Sequence, residues 1–358
     1  IVWALCSLTG MVAAVISAEL GARAPAVRPV RRATRMALWL AVLSGAAGML
    51  LCLGFEQFAL LTGQDPAIAA LGQSYMVILV WSTIPFIVNN VLRSFVSALD
   101  RPIFATAITA LGIGVNAAGN YAFIFGNWGA PAMGLPGAAV ATLFTSLFTM
   151  LAYVIAIRLD RKLHRYHIFG RWWVPDWPVF QRIARKGTPI ALMVSAEAGV
   201  FGAAAFLMGN IGAAQLAAHT IALQIAALAF QVPFGVGQAS TIRVGYFYGA
   251  RDSDGMARAG WAGIGIALLF MSVTASAMVL VPDYLLAIYI DPWAATNAAL
   301  VAFATRYVDR DLFLLGARVR HRDGAGLRDP AGRCRGVARP GDRPLLRRGA
   351  ADLALGAA

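Results

Sequence analysis

An acidic residue lies near the centre of an apolar segment, residues 187–209, in which Glu197 is the one charged side chain. A charge inside a bilayer is costly, and residues of this kind mark functional sites by default. On a helix, Glu197 shares a face with Met193, Phe201 and Met208, whose polarizable side chains suit varied organic cations. We therefore predict that Glu197 binds a cation or exchanges a proton beside a substrate cavity lined by these three residues. A structural hydrogen bond to a neighbouring helix is the alternative.

Uncharged polar side chains recur in two further apolar segments. Asn116 and Asn120 lie four residues apart and therefore on one helix face, where they either coordinate a cation or hydrogen-bond an adjacent helix, which is the commoner use. Gln224, Gln231 and Gln238 repeat every seven residues, which places them on one side of a helix. This stripe is equally compatible with helix–helix hydrogen bonds and with the wall of a wet cavity, so Gln224 and Gln231 are candidate cavity residues.

Motifs of catalysis are missing from the sequence. It contains no HExxH, Walker, GxSxG or paired CxxC pattern, so we do not expect an enzyme. His164 and His167 have a possible metal spacing, but their strongly basic surroundings favour a solvated loop. No cofactor is expected, and no metal beyond a possible Na⁺ at Glu197.

The composition indicates that helices in a membrane position these residues. Of 358 residues, 59% are hydrophobic and 13% are charged, and the mean hydropathy is +0.68. Apolar blocks recur at the length that a helix needs to cross a bilayer, without the alternation of barrel strands. The predicted fold class is an all-α integral membrane protein. Its spans are expected at 1–20, 36–54, 70–98, 103–125, 135–157, 187–209, 213–242 and 259–281, with the start of another at 293–308.

The charges of the loops predict the orientation of these spans. Basic loops alternate along the chain with neutral or acidic ones. Because cytoplasmic loops carry an excess of lysine and arginine, we predict a multi-pass protein of the bacterial inner membrane with its basic loops in the cytoplasm. The basic loops are residues 21–35, 93–102, 158–186 and 243–258. The net charge of +13 therefore indicates membrane anchoring, and no nucleic-acid partner is expected.

An internal repeat divides the chain into two halves. The stretch from residue 20 resembles that from residue 248, and the stretch from residue 64 resembles that from residue 290. The copies lie an even number of spans apart, so both halves have the same orientation, as in some secondary transporters. The predicted domains are an N-terminal lobe (1–157), a cytoplasmic basic and aromatic inter-lobe loop (158–186), a partial second lobe (187–307) and an Arg-rich tail (308–358), either out of frame or disordered.

Several motifs together resemble those of the multidrug and toxic compound extrusion (MATE) family, from residue 1 to about residue 307. They are G-x-P with Glu197 eight residues after its proline, N-x-x-x-N at 116–120, G-x-P-G-A-A-x-A-T from residue 134, AAH, RVG and GAR. The resemblance implies a helical bundle with two six-helix lobes around a central cavity. This chain would contain about spans 2–9 and part of span 10, without the first helix and its aspartate.

The same resemblance implies a monomeric antiporter that lets Na⁺ or H⁺ in and moves cationic, lipophilic drugs out. Glu197 then matches the acidic residue of the cation site in the second lobe, and Asn116 and Asn120 match the polar pair of the first lobe. Phe230 lies near the place where some relatives carry an aromatic residue beside the bound cation.

Two other functions stay open. A truncated remnant that inserts in the membrane without transporting is favoured by the incomplete ends of the chain. A lipid-linked oligosaccharide flippase of the same superfold would need a cavity rich in cationic side chains, and the predicted spans carry almost none.

Overall fold

The computed structural model of the protein describes residues 2–22, 26–61, 66–170, 174–211 and 213–280. Helices make up nearly all of this part, and no strand occurs in it. The α-helices are α1 (Val2–Gly10), α2 (Val12–Ala22), α3 (Val27–Leu53), α4 (Phe55–Leu61), α5 (Pro66–Leu79), α6 (Thr83–Ala98), α7 (Pro102–Phe125), α8 (Leu135–Leu159), α9 (Arg161–His164), α10 (Trp177–Ile211), α11 (Ala213–Ala250) and α12 (Ser253–Leu280). Single 3₁₀ turns lie at Val80–Ser82 and Asn127–Gly129.

Eight helical segments within the described ranges are long and apolar enough to cross a membrane. They are Leu5–Ala22, Val27–Leu53, Gly72–Ala98, Pro102–Phe125, Leu135–Leu159, Trp177–Ala205, His219–Ala250 and Ser253–Ala277. The prediction of an all-α membrane protein is confirmed, and each predicted span up to residue 281 has its helix. The span predicted at 293–308 and the Arg-rich tail lie outside the described residues.

Helix α10 extends well beyond the span predicted for it. It begins at Trp177 rather than at residue 187, so the end of the predicted inter-lobe loop is helical. This extension is amphipathic, because Ile183 is buried while Arg182 and Lys186 are exposed. Because this extension mixes apolar and charged residues, the apolar run alone predicts too late a start for α10.

The main buried cluster centres on α3 and α6. Its largest fully buried side chains are Phe95, Ile16, Met36, Leu38, Ile87, Leu92, Leu163, Ile168, Ile183, Val12 and Val30. Leu163 and Ile168 follow α8 in the chain and Ile183 belongs to α10, so the link between α8 and α10 is packed into this core. Inside a bilayer, such contacts stabilise the fold by van der Waals packing rather than by removal from water.

Helix α3 also holds the link between α8 and α10 by hydrogen bonds. Arg31 Nε donates to the Tyr166 carbonyl oxygen at 2.5 Å, and Arg35 Nε donates to that of Ile168 at 3.2 Å. The predicted basic loop 21–35 is helical from Val27 onward, and its arginines fix the basic segment 158–186. These contacts order a segment that the sequence alone presents as a long loop.

Two glycines let α7 and α8 pack as a tight antiparallel pair. Gly126, with φ of +75°, ends α7, and its N–H donates to the Ala122 carbonyl oxygen at 2.9 Å. A Cβ at Gly137 would collide with the Phe123 carbonyl oxygen, so the two backbones approach closely there. This close approach brings side chains of α7 within reach of α8 farther along the pair.

The chain divides into two compact units, residues 1–216 with 223–274 and residues 217–222 with 275–358. The first unit contains α1 to α10 and most of α11 and α12. Residues 217–222 and 275–280 are the described part of the second unit. The predicted division into lobes at residues 158–186 stays a prediction.

Candidate functional site

Asn116 and Asn120 lie on one face of α7 and are joined to each other. Asn120 Nδ2 donates to Asn116 Oδ1 at 3.1 Å, and Asn116 Nδ2 donates to Thr145 Oγ1 of α8 at 3.3 Å. Thr145 Oγ1 in turn donates to the Ala141 carbonyl oxygen at 2.7 Å, which leaves its lone pairs free to accept. The pair therefore links two helices, and the cation role of these two residues stays a prediction.

Asn89 of α6 binds the next turn of α8, and the sequence patterns miss it. Its Nδ2 donates to Thr149 Oγ1 at 2.8 Å and to the Ser146 carbonyl oxygen at 2.9 Å. Thr145 and Thr149 are about one helical turn apart, so α7 and α6 hydrogen-bond α8 at two successive turns. The adjacent polar pair Asn89–Asn90 inside an apolar span is the signal that identifies this position.

We name these groups the α8 polar cluster: the side chains of Asn89, Asn116, Asn120, Thr145 and Thr149, and the backbone carbonyl oxygen of Ser146. The Oδ1 atoms of Asn89 and Asn120 are buried and have no hydrogen-bond partner within the described ranges. A buried acceptor without a partner costs about 1–3 kcal/mol. Each of the two oxygens is therefore a place for a water molecule or an ion. Their chemistry fits a small hard cation, which prefers oxygen ligands.

Glu197 lies on an open face of α10. Its side chain is exposed, and so are those of Met193 (62%) and Phe201 (49%). Glu197 forms no hydrogen bond or ion pair with any residue that the structure describes. A structural hydrogen bond to a neighbouring helix is thus not formed in this part of the chain. Met208, predicted for the same face, is half-buried.

The candidate cavity residues of α11 are also exposed. Neither Gln224 nor Gln231 hydrogen-bonds a described residue, and their role in a cavity wall stays a prediction. Phe230 is 54% exposed, and its ring centre lies 5.9 Å from that of Phe234. Pro233 lies inside the helix and removes one backbone hydrogen bond next to this aromatic pair. Exposed rings beside amides are the groups that a lipophilic cation contacts.

The structure brings Asn116 and Asn120 of the predicted site together and leaves Glu197 apart from them. Asn116 and Asn120 are in direct contact, whereas no hydrogen bond or ion pair among the described residues joins either of them to Glu197. Within the same ranges, no group of three or more His, Cys, Asp or Glu side chains is placed to hold a metal ion. The site therefore combines neutral oxygens in packed surroundings with a carboxylate in open ones.

The first two helices pack tightly against α10 and α11 through glycines. A Cβ at Gly187 of α10 would collide with a carbonyl oxygen of α1, and one at Gly249 of α11 would collide with that of Ala18. By contrast, a Cβ at Gly202 or Gly235 would meet nothing within 4 Å among the described residues. Both packed glycines lie near basic segments of the chain, whereas Gly202 and Gly235 lie farther from those segments in sequence. Within the described residues, α10 and α11 are therefore closely packed near the basic segments and have no such contact at Gly202 and Gly235.

Comparison with known proteins identifies the family of the chain. The family model described as MatE matches residues 1–122 and 189–309, which together make up more than half of the sequence. The chain belongs to the MatE family. Asn116 and Asn120 lie in the first segment that matches the MatE model, and Glu197 lies in the second. The resemblance seen in the sequence motifs is confirmed.

Two curated relatives in this family are both described as probable multidrug resistance protein NorM. The one from Mesorhizobium japonicum is 42% identical over 294 residues, which cover 82% of this chain and 63% of the relative. The one from Brucella suis is 37% identical over 302 residues, which cover 84% of this chain and 64% of the relative. The chain thus spans less than two thirds of the length of these relatives.

The fold is also that of a solved MATE transporter. The matching structure is the outward-facing conformation of a multidrug resistance MATE family transporter, with a TM-score of 0.71 and 20% sequence identity. The match covers 86% of this chain and 66% of that one. The predicted MATE-like helical bundle is therefore confirmed. The relatives and the solved structure are transport proteins, which agrees with the prediction that the chain is not an enzyme.

Proposed function

We propose that the chain acts in the export of cationic, lipophilic compounds in exchange for Na⁺ or H⁺. The proposal extends to this chain the multidrug resistance for which its relatives are named. The observation that carries it is Glu197, a carboxylate without a described partner on the open face of α10, beside the exposed Met193 and Phe201. We further propose a monomer in the inner membrane, with its basic loops in the cytoplasm.

Glu197 can serve both exchanged species in turn. Its charge attracts a coupling ion, and the same charge attracts an organic cation whose apolar part packs on methionine and phenylalanine side chains. A single carboxylate cannot hold both cations at full strength, so binding of one weakens binding of the other. Net exchange then requires only that two conformations differ in their affinities for the two cations.

The glycine contacts support the conformational part of the proposal. They close α1 and α2 against α10 and α11 at the basic end, whereas α10 is open around Glu197. If the basic end is cytoplasmic, this arrangement is an outward-facing one. Helices that meet at glycines pack backbone to backbone, with few side chains interlocked. The contacts of α1 and α2 with α10 and α11 can therefore separate at the cytoplasmic end without repacking a large interface.

The α8 polar cluster is proposed as the second place where a coupling ion acts. The unsatisfied Oδ1 atoms of Asn120 and Asn89 offer neutral oxygens to a cation. Neutral ligands bind less strongly than carboxylates, and weak binding suits an ion that must leave in every cycle. With H⁺ as the coupling ion, water molecules would fill the same positions.

The test is dye export by bacteria that lack their own multidrug exporters and express the whole chain. We expect the chain to lower the accumulation of a lipophilic cation such as ethidium, and collapse of the Na⁺ or the H⁺ gradient then identifies the coupling ion. Glu197→Gln should restore the accumulation seen without the chain. Glu56→Gln, on an exposed glutamate of α4, is the matched control and should export as the wild type does. A wild-type chain that reaches the membrane without lowering accumulation contradicts the proposal and supports the remnant.

A further inference from the structure

A strongly basic hollow opens where α7 begins and α8 ends, apart from the candidate transport site. Arg101, Arg161, Lys162 and Arg165 line it together with Asp160 and two histidine rings, and it has a volume of about 780 Å³. We name it the basic hollow. Four permanent cations face one carboxylate there, so its potential is positive.

The carboxylate of the basic hollow is already engaged. Asp160 is the N-cap of α9, and its Oδ1 accepts from the Lys162 N–H at 2.8 Å and from the Leu163 N–H at 3.0 Å. Its Oδ2 lies 3.4 Å from Arg101 Nη2, and its side chain is 9% exposed. This one charge compensates Arg101 at most. Arg161, Lys162 and Arg165 are therefore left without a carboxylate partner among the described residues.

The backbone beneath these cations is fixed. Leu163, Tyr166 and Ile168 are buried and alternate with the exposed basic residues. The hydrogen bonds from Arg31 and Arg35 of α3 hold the same segment by its carbonyl oxygens. Like charges on a free loop would spread out into solvent, whereas the fold keeps these around one hollow. Such preorganisation lowers the entropic cost of binding an anion.

An unused hydrogen-bond donor indicates the kind of ligand. Arg101 Nε is buried and finds no acceptor in the part of the chain that the structure describes. The guanidinium group still reaches the hollow, since the Arg101 side chain is 37% exposed. A buried charged donor without an acceptor is costlier than a neutral one. The exposed part of the guanidinium group can bind phosphate oxygens in the fork geometry of arginine, and a small shift of the side chain would bring Nε to the same phosphate.

We propose that the basic hollow binds the phosphate of an anionic phospholipid. It lies beside the first residues of the span Pro102–Phe125 and the last residues of the span Leu135–Leu159, and therefore at the depth of lipid headgroups. Basic pockets between membrane helices on the cytoplasmic side attract anionic headgroups. Ile103 and Leu159, which are 81% and 80% exposed next to the hollow, offer apolar surface to the acyl chains. A free phosphate ion has the same charge but makes no use of this surface.

The experiment measures lipid binding by the whole chain and does not depend on transport. Purified chain in detergent is titrated with phosphatidylglycerol, phosphatidylcholine or inorganic phosphate, and bound lipid is counted by native mass spectrometry. The hollow variant, R161Q/K162Q/R165Q, removes three cations from the basic hollow. The control variant, R182Q/R185Q/K186Q, removes the same set of charges from the exposed start of α10, which does not line the hollow.

We expect the hollow variant to bind phosphatidylglycerol roughly a hundredfold more weakly, since all three of the cations that it removes line the hollow itself. The control variant should bind within about threefold of the wild type. Arg101→Lys keeps the charge and removes the Nε donor, and it should weaken binding about tenfold. Circular dichroism checks that each variant is folded, and Arg101→Lys carries the test if the hollow variant is not.

Two results would overturn the proposal. Equal losses in the hollow and control variants would mean that basic residues attract anionic lipid without a defined site. Displacement of phosphatidylglycerol by an equal concentration of inorganic phosphate would mean that the hollow is a site for free anions. Neither result bears on the export proposed for Glu197.

Discussion

The polar residues of α7 and the acidic residue of α10 are held in contrasting ways. Asn120 hydrogen-bonds Asn116, which in turn hydrogen-bonds Thr145 of α8, whereas Glu197 is exposed beside the exposed Met193 and Phe201. A polar group in packed surroundings is restricted to one geometry, because losing a partner there is costly. An open carboxylate stays available to ligands of different shapes. In the proposed mechanism, this difference would let the α8 polar cluster select a small ion while α10 accepts compounds of varied shape.

Two glycines of α11 differ in their packing, and a valine at each position tests the difference. Gly249→Val places a side chain against the Ala18 carbonyl oxygen, whereas Gly235→Val enters space that no described residue fills. We expect the first to destabilise the protein by about 3 kcal/mol through overpacking and the second to change its stability little. Thermal unfolding of the purified variants measures this. Equal midpoints for the two would show that α2 does not pack on α11 as described.

The hydrogen bonds of α7 predict a smaller difference between polar residues. Asn116→Ala removes the acceptor of Asn120 and the donor to Thr145, and should cost about 1–2 kcal/mol. Gln231→Ala, on the exposed face of α11, should leave the stability nearly unchanged because no described residue bonds its side chain. Unfolding of both variants in mixed micelles by a denaturing detergent checks this. A larger loss for Gln231→Ala would mean that the glutamine stripe binds helices together.

The smallest effect is expected inside α8 itself. Thr149→Val keeps the shape of the side chain and removes the acceptor of Asn89, which retains its bond to the Ser146 carbonyl oxygen. We expect a loss of about 0.5–1 kcal/mol. Thr142→Val is the matched control, because Thr142 Oγ1 bonds only the Ala138 carbonyl oxygen of its own helix in the described structure. Equal stabilities of Thr149→Val and Thr142→Val would show that the hydrogen bond from Asn89 to Thr149 does not stabilise the protein, and Asn89 would then not belong to the α8 polar cluster.

Much of the fold was predictable because the features that determine it are local. A run of apolar residues long enough to cross a bilayer identifies a span wherever it occurs, and each predicted span up to residue 281 is a helix in the structure. The start of α10 at Trp177 was not predictable in this way, because the first turns of that helix mix buried and charged residues. Its helical state depends on packing of Ile183 in the core around α3 and α6.

The candidate site was predictable only where a residue stands out in its own segment. Glu197 does so, as a carboxylate in an apolar helix, and so do Asn116 and Asn120 through their spacing. Asn89 stands out beside Asn90 in an apolar span, but its partners lie 57 and 60 residues away on α8 and nothing in the sequence pairs it with them. The glycine contacts of α11 with α2 likewise join residues from opposite ends of the described chain.

The central claim is that the coupling ion and the exported cation compete for Glu197. The most direct measurement is the affinity of the purified chain for a fluorescent lipophilic cation as Na⁺ is added or the pH is lowered. We predict that one of these treatments releases the dye from the wild-type chain, and that Glu197→Gln abolishes the release while Glu56→Gln retains it. A Glu197→Gln chain that binds the dye and releases it as the wild type does would contradict the claim.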